Sequence, residues 1–201
     1  AMITSAYAYL TKAATVQLVA SGVSVSGSAA ELPADLVWKS MNEAVGTISA
    51  DGVFTAVEEG TVEVQLLSGD TVIGSKTLFV VEPTGLKFSK TGINAIYGDP
   101  VRLPLVATYN ENPVAICAGD IEFGLSNNAA GTIEATGDGF VFIGNEEVGL
   151  KNTVVTAMIS RDYSISASIK IAMYSANQAI FDFDNVTSGD RSFAWKRDVS
   201  N

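Results

Sequence analysis

The stretch LVWKSMNEAVGTISADGVFTAVEEGTVEV, from Leu36 to Val64, carries the signals that decide the fold. The dipeptide Asp51-Gly52 is typical of a tight turn between strands. After it, a run that begins at Gly60 alternates apolar and polar residues, which predicts a β-strand with one buried and one solvated face. Similar features return in IEFGLSNNAAGTIEATGDGFVFIG, from Ile121 to Gly144. The sequence therefore predicts a repeated β-rich module.

The two copies can be aligned along most of their length. Trp38 and Phe123 each lie the same distance before a Gly-Thr-Ile tripeptide. Farther on, Gly52-Val53-Phe54 aligns with Gly139-Phe140-Val141, and the segment that begins at Thr61 aligns without a gap with the one that begins at Thr153. A repeat of this size indicates two copies of one domain rather than a solenoid.

This alignment predicts an all-β chain of two tandem immunoglobulin-like β-sandwich domains followed by a tail. We expect the first domain at residues 1–82 and the second at residues 83–174. Pro83 stiffens the short connection between them. Residues 175–201 form the tail, which we interpret as the start of a third, jelly-roll-like domain. Trp38 and Phe123 are predicted to be equivalent core residues.

Composition excludes several classes of function. The chain has 201 residues, of which 47% are hydrophobic, and its 22 acidic and 12 basic residues give a net charge of -10. Such a surface repels phosphate groups, so nucleic acids and anionic membranes are poor partners. The sequence has no histidine and one cysteine, Cys117. An internal disulfide and a cysteine-based zinc site are therefore impossible, and we predict no cofactor.

One set of motifs in residues 1–82 points to a family. The motifs are Trp38, Ser40, Asn42, Val45-Gly46-Thr47-Ile48, Gly52-Val53-Phe54-Thr55-Ala56 and Gly60-Thr61-Val62-Glu63-Val64. In this pattern the first copy resembles a bacterial immunoglobulin-like domain of group 2. The second copy departs from it, with Phe123 in place of the Trp and Asn152 in place of Gly60. The resemblance implies that the Trp is a core residue, and it transfers no catalytic residue.

The resemblance also implies a setting. Domains of this kind occur as spacers and adhesive modules in bacterial surface and secreted proteins, including multidomain glycan-acting enzymes. The segment from Ala179 to Lys196 resembles the opening of a carbohydrate-binding-like jelly roll, and this domain order is similar to that of cell-surface phosphodiester glycosidase proteins. We therefore expect a non-enzymatic spacer or adhesive module, secreted or at the bacterial cell surface. The alternative is a carbohydrate-binding accessory module of a glycan-acting enzyme.

The partners that these two readings imply are the neighbouring domains of the same protein and, for the alternative, cell-surface or dietary glycans. Exposed aromatic rings could stack on sugars. The candidates are Tyr7 and Tyr9, which we expect on one face of the first strand, and Tyr97, Tyr109, Tyr163 and Trp195. Because most aromatic residues of a β-sandwich belong to its core, a core role is the stronger expectation for each of them.

Carboxylates supply the other candidate sites. Asp182 and Asp184 would share one face of a strand, and oxygen ligands at this density could bind Ca²⁺. The calcium-loop spacing is incomplete, so a solvated strand face is favoured over a metal site. Glu58-Glu59 and Glu146-Glu147 lie in corresponding loops. Neighbouring residues on an exposed loop point apart, so acid–base catalysis by these pairs is not expected.

The tail carries a separate prediction. Residues 175–201 are too few to fold alone, because they cannot bury enough surface to offset their ordering entropy. Ala179–Asp184 is a strand-prone apolar run, and Trp195 follows it. We predict that this run adds to a sheet edge of the second domain or of a neighbouring chain, with Trp195 packed on the same surface.

Overall fold

The computed structural model describes residues 1–24, 26–137, 139–146 and 151–175. Within these ranges the chain is built from strands, with single 3₁₀ turns at Ala118–Asp120 and Asn128–Ala130 and no α-helix. The predicted all-β fold class is confirmed. No helix in the described part is long and apolar enough to cross a membrane. The predictions for Asp182, Asp184, Trp195 and the edge strand Ala179–Asp184 fall outside the described residues.

The described part of the chain contains 20 strands. In chain order they are β1 Met2–Thr4, β2 Tyr9–Leu10, β3 Thr15–Gln17, β4 Val19–Val23, β5 Ala29–Ala30, β6 Leu36–Ser40, β7 Gly46–Ile48, β8 Val53–Ala56, β9 Gly60–Ser68, β10 Thr71–Val80, β11 Gly85–Phe88, β12 Gly92–Ile96, β13 Pro100–Leu103, β14 Leu105–Tyr109, β15 Asn112–Ala115, β16 Ile121–Leu125, β17 Gly131–Thr136, β18 Gly139–Gly144, β19 Asn152–Ile159 and β20 Asp162–Tyr174.

The inward-facing residues of these strands form two hydrophobic cores. Phe54, Leu66 and Leu78 are fully buried in the first core. Phe142 and Ile171 are fully buried in the second. The alternation of apolar and polar residues explains this directly, since successive side chains of a strand point to opposite faces.

One sheet contains strands from both cores. Its seven strands lie in the order β11-β14-β15-β2-β10-β9-β6. The short strand β2 is at the centre of the connection: Leu10 pairs in parallel with Val80 of β10 on one side and with Ala115 of β15 on the other. Ala115 packs in the first core although its strand, β15, lies within the second half of the chain. A single hydrogen-bonded sheet therefore joins the two halves.

The remaining strands form smaller sheets. They are ordered β12-β20-β19-β16 and β13-β18-β17 in the second half, and β3-β8-β7 and β1-β4-β5 in the first. Pairings recur between the halves. Trp38 pairs with Leu66 as Phe123 pairs with Ala157, and both aromatic side chains are half-buried against their respective cores.

The strand registers correct the ungapped alignment of Thr61 with Thr153. Thr61 is exposed whereas Thr153 is buried, so the two are not equivalent. The pairing partners show why: Trp38 pairs with Leu66 and its counterpart Phe123 pairs with Ala157, which makes Thr61 the counterpart of Asn152 rather than of Thr153. Because side chains alternate between faces, a slip of one residue exchanges the buried and exposed sets.

The alignment of Phe54 with Val141 is wrong for the same reason. Phe54 pairs with Ile48, and Phe142, not Val141, pairs with the corresponding Ile133. Phe54 and Phe142 are both fully buried. The stretch from Ile133 to Phe142 is therefore one residue longer than the alignment assumed, and the extra residues extend the β17–β18 hairpin.

Close packing explains the glycine of each Gly-Thr-Ile tripeptide. A Cβ atom on Gly46 would lie 2.1 Å from Cζ of Phe54. A Cβ atom on Gly131 would lie 2.2 Å from the main-chain oxygen of Ile143 and 2.9 Å from Cζ of Phe142. Real Cβ atoms do not approach heavy atoms this closely, so each buried phenylalanine ring occupies space that only a glycine leaves open.

Candidate functional site

Two of the four buried polar residues in the described part of the chain, Thr11 and Asp120, meet where the two halves join. Thr11 directly follows β2 and is 1% exposed. Its main-chain N–H donates to the carbonyl oxygen of Ala115 at 2.8 Å, which extends the pairing of β2 with β15 by one residue. Its hydroxyl donates to Oδ2 of Asp120. Thr11 therefore links the first half to the second through both its main chain and its side chain.

Asp120 receives these contacts at the end of the 3₁₀ turn Ala118–Asp120. It is 6% exposed. Besides the hydroxyl of Thr11, its Oδ2 accepts a hydrogen bond from the main-chain N–H of Cys117 at 2.8 Å. Every buried side-chain nitrogen and oxygen atom of the described residues has a hydrogen-bond partner. Because an unpaired buried carboxylate is costly, the position of Asp120 depends on the first half supplying Thr11.

This environment makes the Cys117 thiol unreactive. Partial burial, together with the negative charge of Asp120 beside it, raises the pKa of Cys117 above its ordinary value. Since the thiolate is the nucleophile, a raised pKa lowers reactivity at neutral pH. Cys117 therefore belongs to the junction as a structural residue.

An ion pair spans the rim of the junction. The guanidinium of Arg161, in the turn between β19 and β20, binds the carboxylate of Glu82, which follows β10. Their side chains are 49% and 40% exposed. Water and salt screen such a pair, so it contributes far less than the buried bond between Thr11 and Asp120.

Three aromatic rings cross the junction on neighbouring strands. Tyr9 of β2 stacks on Phe79 of β10, with ring centroids 4.9 Å apart and an angle of 18° between planes. Tyr109 of β14 lies against Tyr9 at 5.8 Å. Because Phe79 covers one face of Tyr9, that face is not available to a sugar ring. The rings add apolar contact across the joined sheet.

The other tyrosine candidates are dispersed. Tyr7 lies before β2 rather than on one strand face with Tyr9, so that expectation was wrong. Tyr7 is 38% exposed and lines a cleft of about 570 Å³ between the halves. The cleft is also lined by Thr15 of the first half and by Leu105 and Ile116 of the second half.

The two remaining described candidates differ in exposure. Tyr163 is 57% exposed, and its hydroxyl donates to Oε1 of Glu122 at 2.8 Å. This hydrogen bond raises the pKa of Tyr163. Tyr97 packs against the second core. The five described tyrosine candidates therefore do not form one platform for a sugar chain.

The structure describes three of the four paired glutamates. Glu58 makes an exposed ion pair with Lys12, and Glu147 lies outside the described residues. In the part of the chain that the structure describes, no cluster of three or more histidine, cysteine, aspartate or glutamate side chains could hold a metal ion. The arrangement of the described residues, with the Thr11–Asp120 bond buried between the halves, can fix one half against the other.

Comparison with known families and proteins gives a partial match. Residues 2–80 match the model of the bacterial Ig-like domain (group 2). A curated relative, ice-binding protein 1 of Shewanella frigidimarina (strain NCIMB 400), is 25% identical over 130 residues, or 64% of this chain. The chain spans only 14% of the length of that relative.

Among solved structures, domains 4 and 5 of the S-layer protein SbsC align with 86% of this chain and 96% of their own, at 14% identity and a TM-score of 0.36. Invasin, a bacterial integrin-binding protein, aligns with 85% of this chain and 38% of its own, at 14% identity and a TM-score of 0.32.

Proposed function

We propose that this chain is a non-catalytic spacer that holds neighbouring domains of a bacterial cell-surface or secreted protein at a fixed distance and orientation. It consists of two immunoglobulin-like modules in tandem, residues 1–82 and 83–174. One observation carries the proposal: the seven-stranded sheet that continues from the first core into the second through β2.

The continuous sheet supports stiffness because bending would break several contacts together. Rotation of one half against the other separates Leu10 from Ala115 and takes the Thr11 hydroxyl away from Asp120. The buried carboxylate of Asp120 would then lose a hydrogen-bond donor. Leaving a buried acceptor without its donor costs free energy. Two modules joined by a flexible linker would have no such penalty.

The match of residues 2–80 to a bacterial Ig-like family supports the setting at the cell surface or outside the cell. The net charge of -10 suits a surface that faces solvent and stays free of nucleic acid. An adhesive role, and a place in a phosphodiester glycosidase-type protein, are extensions of the same proposal. They rest on the sequence resemblance.

The distance between two spin labels tests the proposal. The labels would be attached at Glu43→Cys and Glu134→Cys, both exposed positions on different halves, in a chain with Cys117→Ala. A rigid spacer gives one narrow distance distribution by pulsed electron spin resonance. Thr11→Val should broaden that distribution, whereas Thr4→Val, which removes an exposed hydroxyl, should not. A broad distribution in the unaltered junction would refute the spacer proposal.

A glycan-binding role is the second candidate, because Tyr7 and Tyr163 are the most exposed of the described tyrosine candidates. A glycan array would test it. Binding that is lost in Tyr7→Ala or Tyr163→Ala, but kept in the partly buried Tyr97→Phe, would support this role. An array without binding would leave the spacer as the only function proposed for these residues.

A further inference from the structure

The strand β12 has an open edge. It pairs in parallel with β20 and is the outermost strand of its four-stranded sheet. In the described part of the chain, no strand pairs with Gly92–Ile96 on the other side; the next residue, Tyr97, forms a single parallel bridge with Gly144 of β18. Edge strands with free main-chain groups are sites where another strand can add.

Main-chain geometry identifies the groups on this edge. The N–H of Tyr97 donates to the carbonyl oxygen of Tyr174 in β20 at 2.9 Å. Alternate residues of a strand direct their N–H and C=O groups to opposite sides. Ala95 therefore faces β20 as Tyr97 does, while Asn94 and Ile96 direct their N–H groups away from it, toward the open side.

The first half contains the same arrangement with its edge filled. Leu10 pairs with Val80 in parallel, as Ala95 pairs with Met173. On its other side Leu10 pairs with Ala115 of the β14–β15 hairpin, and the next N–H, that of Thr11, donates to Ala115. The position that the hairpin occupies beside β2 is therefore open beside β12.

The surroundings of β12 leave room for a strand. A groove of about 770 Å³ runs beside it and is lined by Gly92, Ile93 and Asn94 of the strand and by residues from the neighbouring strand β13, among them Val101. The groove gives a further strand room to reach the main-chain groups of β12.

We propose that the open edge of β12 is a docking site for the β-hairpin of a further β-sandwich module, which adds in parallel as β15 adds to β2. This inference rests on the proposed spacer function. It extends the continuous sheet past the second core, so that successive modules share one mode of connection.

A second copy of this chain does not fit the site. Its free hairpin is β4–β5, in which Gly22 pairs with Ala30. Asp35 directly precedes β6 as Asp120 directly precedes β16. Docking would bring Asp35 toward Ile96, which has no hydroxyl to donate, so a carboxylate would be buried without the bond that Thr11 gives to Asp120. The fitting hairpin carries an apolar residue opposite Ile96.

A cyclised peptide with the sequence of residues 105–116 is a suitable probe, because it contains the β14–β15 hairpin and lacks Asp120. In the register of the first half it would place its Ile116 beside Ile96. It would be titrated to millimolar concentration into the isotope-labelled full chain and followed by amide chemical shifts. We expect saturable shifts at Asn94 and Ile96.

The matched variants are Asn94→Pro and Asn94→Thr. Proline removes the outward N–H and is tolerated on an edge strand, so we expect the dissociation constant to rise by roughly tenfold or more. Threonine keeps the N–H, and binding should remain. Circular dichroism and thermal unfolding would show that both variants fold, and Ile96→Thr, which keeps every main-chain group, should weaken binding through its side chain.

Three results would overturn the inference. These are the absence of shifts at Asn94 and Ile96, equal binding by Asn94→Pro, and equal binding by a cyclic peptide of scrambled sequence. The spin-label distances are measured between the two halves without the peptide. A failure of docking therefore leaves the spacer result unchanged and can be told apart from a failure of the spacer proposal.

Discussion

Thr11 and Asp120, which are 109 positions apart in the chain, form a buried hydrogen bond from a hydroxyl to a carboxylate. The bond lies directly after β2, the strand that pairs with β10 on one side and with β15 on the other. It gives the joined sheet a side-chain contact that depends on the correct register. The orientation of the two halves is therefore tied to the folding of each.

Thr11→Val should destabilise the chain by about 1–3 kcal/mol, because Asp120 would keep the N–H of Cys117 and lose its hydroxyl donor. Urea unfolding measures this. Thr4→Val is the control, since Thr4 is exposed and its hydroxyl contacts the carbonyl oxygen of Val19 at only 3.4 Å. Equal stability of the two variants would contradict a structural role for Thr11.

Glu82→Ala should cost less than about 1 kcal/mol, since the ion pair with Arg161 is exposed and screened. The loss should shrink further as salt is added. Unfolding midpoints at low and high ionic strength measure this, with the exposed Glu63→Ala as the control. A loss as large as that of Thr11→Val would mean that the rim, and not the buried bond, holds the junction.

Asp120→Asn should lower the pKa of Cys117 toward its ordinary value, because a neutral amide no longer repels the thiolate. The lowered pKa increases the thiolate fraction at a given alkaline pH, so alkylation becomes faster there. The rate of iodoacetamide labelling against pH reports this shift. Partial burial, the larger cause, remains in the variant, so the pKa should still lie above that of the unfolded chain. An unchanged or upward-shifted profile would exclude the charge of Asp120 as a cause.

Gly46→Ala should destabilise the chain by about 1–3 kcal/mol, because its Cβ would lie 2.1 Å from the Phe54 ring. Gly124→Ala is a matched strand control, since its nearest new contact is Cε of Met158 at 3.9 Å. That change should stay within about 0.5 kcal/mol. Thermal unfolding compares the two. Stability of Gly46→Ala equal to that of the control would show that the ring moves aside without cost.

The alternation of apolar and polar residues predicted the fold class, because successive side chains of a strand point to opposite faces, one buried and one solvated. The same rule explains the alignment errors. The extra residues of the second copy lie within the β17–β18 hairpin and between β18 and β19, and composition alone does not place such insertions. Thr61 and Thr153 look equivalent in the sequence, but in the structure Thr61 is exposed and Thr153 is buried.

The junction could not be predicted from the sequence. Thr11 and Asp120 are ordinary residues in turns of different modules, and neither lies in a motif. Their contact follows from the parallel pairing of β2 with two strands, which is a property of tertiary structure. The roles of two aromatic candidates could not be predicted from the sequence either. Tyr9 and Tyr109 were candidates for sugar stacking because they have aromatic rings, but in the fold Tyr9 stacks on Phe79 and Tyr109 lies against Tyr9.

The parallel pairing of β2 with β10 also determines how the chain carries mechanical load. In a parallel pair, the chain enters β2 at one end and leaves β10 at the opposite end. Tension applied through the two ends of the first module therefore slides the strands lengthwise, so the hydrogen bonds resist together instead of opening one after another. The second module repeats this geometry with β12 and β20. A pulling force along the chain is therefore resisted in each half by the hydrogen bonds of a parallel strand pair, which are loaded in shear.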